Sequence, residues 1–174
     1  LNSLYGAILN PGCRFFDKRI GQSTTLSGRT IVKHMSAEVN KTITGVYDHT
    51  GDAMIYGDTD SCYFSAWPAL KADVEAGKVP WSKENVITLY DQVCEAANIT
   101  FPDMMQKAFH CPKSRSDVIA AAREIVAESG LFITKKRYAA LVTDIEGFRT
   151  DTDGKPGKVK AMGLDLRRSD TPVF

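Results

Sequence analysis

The chain has 174 residues, 43% hydrophobic and 25% charged, a composition typical of one or two globular units. Its formal net charge of +1 shows no overall basic bias, and the sequence contains no long uncharged apolar segment or signal peptide. It opens on Leu1 without a methionine and stops two residues after Pro172. We therefore expect a segment of a longer protein.

The cysteines have no close paired spacing, which argues against a zinc site and favours buried thiols in a reducing compartment. They are Cys13, Cys62, Cys94 and Cys111. Asn40 and Asn98 begin glycosylation sequons, which we interpret as chance occurrences.

The first predicted elements are helical. Residues 1–9 are typical of a helix end, and Asn10-Pro11-Gly12 closes it. Residues 17–44 predict a long amphipathic helix with Gly45 as its C-terminal cap.

Two aspartates then lie between two strand-like runs, in AMIYGDTDSCYFSA, residues 53–66. The flanking runs predict β-strands and GDTDS predicts the turn of a hairpin. On an extended segment, Asp58 and Asp60 would point to one face with their carboxylates roughly 6–7 Å apart. Their repulsion of about 2–3 kcal/mol at an effective dielectric constant of 20 would be removed by a divalent cation such as Mg²⁺.

Asp-x-Asp is also common in turns, where it serves only its own backbone, and the spacing alone favours that interpretation. A calcium-binding EF-hand loop fits less well. Its fifth and sixth positions would be Cys62 and Tyr63, where an oxygen ligand and a glycine are needed.

The second half of the chain predicts one more helix and further hairpins. Residues 82–109 predict a helix with Ser82 as N-cap and a kink or break at Pro102. Ser129-Gly130 predicts a turn, followed by a strand over residues 131–145.

A second Asp-x-Asp, Asp151 and Asp153, precedes Gly154 in a standard hairpin turn, so we interpret it as structural. The pattern of helices and hairpins predicts an α+β fold, in which an antiparallel sheet carries the aspartate hairpin and the helices pack on one side.

Basic residues form two clusters, each of which would by itself indicate only a solvated charged face. The first is Lys135, Lys136 and Arg137, and the second is Lys155, Lys158, Lys160, Arg167 and Arg168.

Three separated motifs occur in a characteristic order: NSLYG at residues 2–6, YGDTDS at 56–61 and KKRY at 135–138. With MGLDLRRSDTP at 162–172, this series resembles the family B DNA polymerases, with features of their T-even-phage branch. The resemblance covers essentially the whole chain. It implies the end of the fingers at 1–45, a palm domain at 46–161 and the start of the thumb at 162–174.

The resemblance implies template-directed DNA synthesis in replication, by transfer of a nucleotide from a dNTP to a primer 3′-hydroxyl. Asp60 would bind the two catalytic Mg²⁺ ions directly, and Asp58 would be a weaker or auxiliary ligand. Two metal ions roughly 3.5–4 Å apart stabilise the attacking oxygen and the leaving pyrophosphate. Charge neutralisation and positioning then supply most of the catalysis.

The same resemblance implies nucleotide and DNA contacts. Asn2 and Tyr5, three residues apart on a fingers helix, would cover the nascent base pair, with Gly6 allowing close approach. Lys136 and Tyr138 would share one face of a strand, and Lys135 and Arg137 the other, at the primer-terminal minor groove. The duplex phosphates would be bound by Lys158, Lys160, Arg167 and Arg168.

The expected partners are primer–template DNA and dNTPs, with no membrane, and a sliding clamp bound through regions outside this chain. The expected location is the cytoplasm of a host cell. The family's first metal-binding motif and the triphosphate-binding lysine would precede Leu1, so we expect the isolated fragment to be inactive.

Two other interpretations remain open. One is a nucleic-acid-binding module without catalysis of its own. The other is an Asp-x-Asp glycosyltransferase, a class that gives no reason for KKRY or NSLYG. The residues upstream of Leu1 would discriminate between these classes.

Overall fold

The computed structural model describes residues 2–152 and 154–164, which form four α-helices, six β-strands and one 3₁₀ turn. The helices are α1 (Asn2–Leu9), α2 (Lys18–Thr44), α3 (Trp67–Glu75) and α4 (Lys83–Phe109), and the 3₁₀ turn is Lys113–Arg115. The strands are β1 (Met54–Asp58), β2 (Ser61–Phe64), β3 (Ile125–Thr134), β4 (Arg137–Ile145), β5 (Phe148–Arg149) and β6 (Lys158–Met162). This mixture of helices and antiparallel strands confirms the predicted α+β class.

The two long helices begin and end close to their predicted limits. The carboxylate of Asp17 accepts a hydrogen bond from the N–H of Arg19 at 2.9 Å, and α2 ends at Gly45 with φ 82°. The hydroxyl of Ser82 accepts from the N–H of Asn85 at 3.3 Å at the start of α4. These caps satisfy terminal backbone groups that have no partner within the helix.

Of the kink or break predicted at Pro102, the break does not occur, because α4 continues through this residue to Phe109. Proline removes one backbone hydrogen bond from a helix. The neighbouring Phe101 is only 1% exposed, and α4 packs along α2, so burial of an apolar face offsets the loss.

The strands form two antiparallel sheets, not the single sheet that the sequence suggests. β1 and β2 make a two-stranded sheet, whereas β4 pairs with β3, β5 and β6 in a second one. Side-chain packing, and not a backbone ladder, joins the two sheets within the described residues.

The predicted turn at Ser129-Gly130 is also wrong, because both residues lie inside β3. The hairpin turn is Lys135-Lys136, between β3 and β4. Gly130 is there for close packing: a Cβ at this position would lie 2.9 Å from the ring of Phe132. A glycine inside a strand often marks such an approach.

The main apolar core lies between the long helices and the first sheet. Val39 of α2 and Val93 and Ala97 of α4 are at most 2% exposed. Partly buried side chains that pack against them are Ile43, Met54, Phe64 and Leu89.

Ion pairs attach the second sheet to α4. Asp151, 2% exposed, accepts from Arg149 at 2.8 Å and from Lys83 at 2.8 Å. These two cations hold the pKa of the Asp151 carboxyl well below its usual range. Asp151 therefore has the structural role predicted for it, while Asp153 lies outside the described residues.

The two sequon asparagines hold loops in place. Asn40 is 1% exposed, donates to the carbonyl of Val46 at 2.8 Å and accepts from the N–H of Ala53 at 3.0 Å. Asn98 makes a pair of hydrogen bonds with the backbone of Ala121, at 2.7 and 2.9 Å. Both amides thus have internal partners, in agreement with chance sequons.

No helix formed by residues 2–152 and 154–164 has the length and apolar character needed to cross a membrane.

Candidate functional site

The two motif aspartates lie at the tip of the β1–β2 hairpin. Asp58 ends β1 opposite Ser61, and Thr59-Asp60 forms the two-residue turn. The predicted hairpin is confirmed, but Asp58 and Asp60 do not share one extended strand. The spacing argument for their separation therefore does not hold, because a turn residue does not follow the two-residue alternation of a strand.

The lysines of KKRY lie in the turn that joins β3 to β4. Lys136 has φ 61°, in the left-handed region that few residues other than glycine adopt. The prediction that Lys136 and Tyr138 share one strand face is wrong for this reason. Arg137 is the first residue of β4, and its Nε donates to the carbonyl of Gly163 at 3.1 Å.

The turn of the KKRY motif is hydrogen-bonded to β1, the strand that ends in Asp58. The N–H of Lys136 donates to the hydroxyl of Tyr56 at 2.8 Å, and Tyr56 lies two residues before Asp58 on β1. We call residues 58–60 the aspartate turn and Lys135-Lys136 the lysine turn.

Four aromatic side chains pack beneath the two turns. The ring centroids of this aromatic cluster lie 5.2 to 6.0 Å apart, and the hydroxyls of Tyr63 and Tyr138 are 2.9 Å apart. Its members are Tyr56, Tyr63, Phe132 and Tyr138. The cluster joins the two sheets that the backbone leaves separate.

The lysine turn also influences the charge on Asp58. Partial desolvation raises the pKa of this carboxyl. The N–H and hydroxyl of Thr59, at 2.9 and 3.1 Å, and the charges of Lys136 and Lys135 more than offset it, so the pKa of Asp58 is lowered. Asp58 is therefore an ionised carboxylate beside two cations at neutral pH.

The phenol of Tyr63 shows the opposite effect, because burial and the hydrogen bond to Tyr138 raise its pKa. Tyr138 is only 7% exposed. Its hydroxyl is directed into the aromatic cluster, which gives this KKRY residue a packing contact beneath the lysine turn.

The NSLYG residues belong to the α1–α2 pair. Asn2 begins α1, and the hydroxyl of Tyr5 lies 2.7 Å from that of Thr25 on α2. A Cβ added at Gly6 would have no atom within 4 Å, so the helix surface is open at this point.

The second basic cluster is described only in part. Lys158 and Lys160 lie on β6 opposite Val142 and Ala140, so both point to one face of the sheet. Lys160 pairs with Glu124 at 2.6 Å, whereas Lys158 is exposed. Arg167 and Arg168 lie outside the described residues.

The chain matches DNA polymerases along almost its entire length. It is 31% identical over 186 residues to a DNA-directed DNA polymerase of Escherichia phage RB69, with 99% of the chain covered. It is 25% identical to that of Enterobacteria phage T4 and 26% identical to DNA polymerase II of Escherichia coli, again with 99% of the chain covered. This chain is a relative of the family B DNA polymerases.

The chain spans about a fifth of the length of these polymerases, 20% of the two phage enzymes and 19% of the bacterial one. No family model matches it. The relatives found are polymerases and not glycosyltransferases, so that alternative gains no support.

A polymerase of this family would need metal ligands, and the aspartate turn offers two carboxylates. Asp60 lies on the lining of a largely apolar cleft of about 570 Å³ between the long helices and β3, whereas Asp58 lies beside the lysine turn. Within residues 2–152 and 154–164, no group of three His, Cys, Asp or Glu residues could hold a metal ion. Further oxygen ligands would have to come from water, from a phosphate or from other parts of a polymerase.

The sequence reasoning missed the packing beneath the two turns, to which Tyr56, Tyr63 and Phe132 contribute their rings. The residue pairing of the first hairpin could have revealed two of them from the sequence. With Thr59-Asp60 as a two-residue turn, counting back along both strands places Tyr56 directly opposite Tyr63. The position of Phe132 could not be counted in this way, because it belongs to a different sheet.

Proposed function

We propose that this chain is the palm-centred segment of a template-directed DNA polymerase. The enzyme would transfer a nucleotide from a dNTP to a primer 3′-hydroxyl during DNA replication. The observation that carries this proposal is the contact of the lysine turn with the strand that ends in Asp58. Nucleotidyl transfer on DNA needs carboxylates for metal ions beside cationic groups for the DNA backbone.

The similarity over 99% of the chain supports the proposed domain assignment. Residues 1–45 would belong to the fingers, residues 46–161 to the palm and residues 162–174 to the start of the thumb.

We assign the metal-binding role to the aspartate turn, with Asp60 as direct ligand and Asp58 as auxiliary ligand. The donor set fits Mg²⁺, which is often bound through one or two carboxylates together with water and substrate phosphates. The bound ions would supply charge neutralisation at the attacking and leaving oxygens.

The basic residues would hold the DNA. Lys135, Lys136 and Arg137 would contact the primer end, where a lysine donor detects the shape of a base pair more than its sequence. Tyr138 would act from beneath these residues through its packing contacts, since it is 7% exposed. Phosphate contacts would come from Lys158, from Lys160 after release of Glu124, and from Arg167 and Arg168.

On the fingers side, Asn2, Tyr5 and Gly6 would cover the nascent base pair and the incoming dNTP. The exposed position of Tyr5, at 39%, is compatible with this contact.

A sliding clamp would bind through other parts of the polymerase, which would act in the cytoplasm of a host cell.

For the isolated chain we propose DNA binding without synthesis. The observation behind this second function is that the aspartate turn supplies only two carboxylates within the described residues. A pair of Mg²⁺ ions needs more ligands than these two side chains provide.

The test uses the full-length polymerase that would contain this segment. Asp60→Asn should reduce primer extension below detection and leave duplex affinity largely unchanged, because it removes a ligand charge and no DNA contact. Asp58→Asn should have a milder effect. Asp52→Asn, an exposed change in the loop before β1, is the matched control. A larger loss for Asp58→Asn than for Asp60→Asn would overturn the role assignment.

A further inference from the structure

We propose that Tyr56 is a positioning residue whose hydroxyl holds the lysine turn beside the aspartate turn. This inference rests on the proposed function, because the lysine turn is the part of the chain that we assign to the primer end. The contact is not part of any motif role inferred above. It joins residues 80 positions apart in the sequence.

The backbone of Lys136 has close neighbours on two sides. Its N–H donates to the Tyr56 hydroxyl at 2.8 Å. Gly163 lies so near its carbonyl oxygen that an added Cβ would overlap that oxygen. The next residue, Arg137, donates from Nε to the Gly163 carbonyl at 3.1 Å.

The lysine turn needs such support because Lys136 has φ 61°. The left-handed conformation costs a non-glycine residue about as much free energy as one neutral hydrogen bond contributes. A residue in this conformation persists where its surroundings hold it. Removal of the Tyr56 hydroxyl should therefore loosen the position of the turn without unfolding the sheet.

Tyr56 is itself well fixed. Its ring stacks on Phe132 with centroids 5.6 Å apart and an interplanar angle of 29°, and it contacts Tyr63 and Tyr138 at 6.0 and 5.8 Å. Tyr56 and Asp58 lie on the same short strand. The hydrogen bond from the Lys136 N–H to the Tyr56 hydroxyl therefore fixes the position of the lysine turn relative to the aspartate turn.

Tyr63 supplies a matched control. It belongs to the same aromatic cluster, and its hydroxyl bonds to that of Tyr138 and not to the lysine turn. Tyr63→Phe therefore removes a hydroxyl from the cluster and leaves the Lys136 N–H bond intact.

The first experiment measures primer extension by the full-length polymerase. Tyr56→Phe should lower kcat on a paired primer about 3–10-fold, the effect of one lost hydrogen bond, and change the duplex Kd by less than about 2-fold. Tyr63→Phe should change both by less than about 2-fold. In a Lys136→Ala background the effect of Tyr56→Phe should disappear, because both changes act through the same side chain.

The second experiment measures hydrogen exchange at the Lys136 amide, which does not depend on activity. Exchange should be faster in Tyr56→Phe and unchanged in Tyr63→Phe. Unchanged exchange in Tyr56→Phe, equal kcat losses in the two variants, or additive effects with Lys136→Ala would each refute the positioning role alone. A wild-type protein that extends no primer would instead refute the proposed function, and the role of the lysine turn with it.

Discussion

Arg123 and Asp144 form an ion pair that is almost completely removed from water, with side chains 10% and 2% exposed. Asp144 also accepts a hydrogen bond from the N–H of Gly147 at 3.0 Å, and Arg123 reaches Asp91 on α4. The pair thereby joins the segment before β3 to β4 and to the helix layer.

Breaking this pair should destabilise the fold strongly. Arg123→Ala should lower the free energy of unfolding by about 3–5 kcal/mol, because it leaves the Asp144 charge buried without its partner. Lys107→Ala removes an ion pair to Asp103 whose side chains are 76% and 67% exposed, and should cost less than about 1 kcal/mol. Urea denaturation measures both values. Similar losses would show that burial adds nothing to the Arg123 pair.

Replacement of the buried Asn40 side chain should also lower the stability of the fold. Asn40→Ala leaves the N–H of Ala53 and the carbonyl of Val46 without partners, which should lower the free energy of unfolding by about 2–4 kcal/mol. Gln22→Ala, an exposed change on the same helix, should alter it by less than about 0.5 kcal/mol. Thermal or urea unfolding of the two variants decides this prediction. It fails if Asn40→Ala is as stable as Gln22→Ala.

The surroundings of His34 should make the stability of the fold depend on pH. The hydroxyl of Thr100 donates to the carbonyl of Ala97 at 2.7 Å, so it accepts from Nε2–H of His34, 2.9 Å away. Nδ1 then accepts from the hydroxyl of Tyr47 at 2.9 Å. The geometry thus fits a neutral ring, and burial lowers the pKa of His34. Among nearby charges, Lys41 lowers this pKa further, whereas Glu38 and Asp103 raise it.

The direction in which stability changes with pH follows from the pKa values of His34 in the unfolded and the folded chain. In the unfolded chain the pKa is about 6.5, so as the pH falls the unfolded state binds a proton first. The contribution of the neutral ring to stability is therefore complete above about pH 6.5 and declines between that value and the lower folded pKa. The difference in stability between wild type and His34→Gln should shrink over this window. A constant difference for His34→Gln would contradict the prediction.

The salt dependence of DNA affinity tests the basic residues. In the full-length polymerase, Lys158→Ala should flatten the log–log slope of duplex affinity against salt by about 0.9, the value for one lost phosphate contact. The Arg167→Ala/Arg168→Ala double variant should flatten it by about 1.8, for all duplex sequences alike. Lys107→Ala is the control. An unchanged slope would assign these side chains to solvent or protein.

Lys136→Ala should behave differently from those phosphate-contact variants. It should reduce extension of a paired primer more than it reduces duplex affinity, because one positioned donor near the primer end is lost. Extension rates and affinities measured on the same DNA test this. An equal loss in both would place Lys136 among the general phosphate contacts.

Short-range signals in the sequence predicted the two long helices and the first hairpin, but not α3. Gly45 and Ser82 cap α2 and α4 as expected, because a cap needs only the few residues next to it. The motif order also identified the polymerase family, since a family pattern needs no knowledge of which residues are in contact.

The predictions that failed depended on contacts between distant residues. Gly130 signals a turn in isolation, but the packing of Phe132 decides that it lies inside a strand. Pro102 signals a break, but burial of Phe101 maintains the helix. In both cases tertiary packing outweighed a local preference of the backbone.

The sequence by itself determined the two long helices, the caps at Gly45 and Ser82, and the two charged motifs of the site. Only the tertiary structure decided that the lysine turn meets Tyr56 and that four aromatic rings join two separate sheets. The physical reason is that local hydrogen bonds and side-chain periodicity involve near neighbours, which the sequence displays directly. Which hairpin packs on which depends on the apolar surface that each buries, and that surface exists only once both have folded.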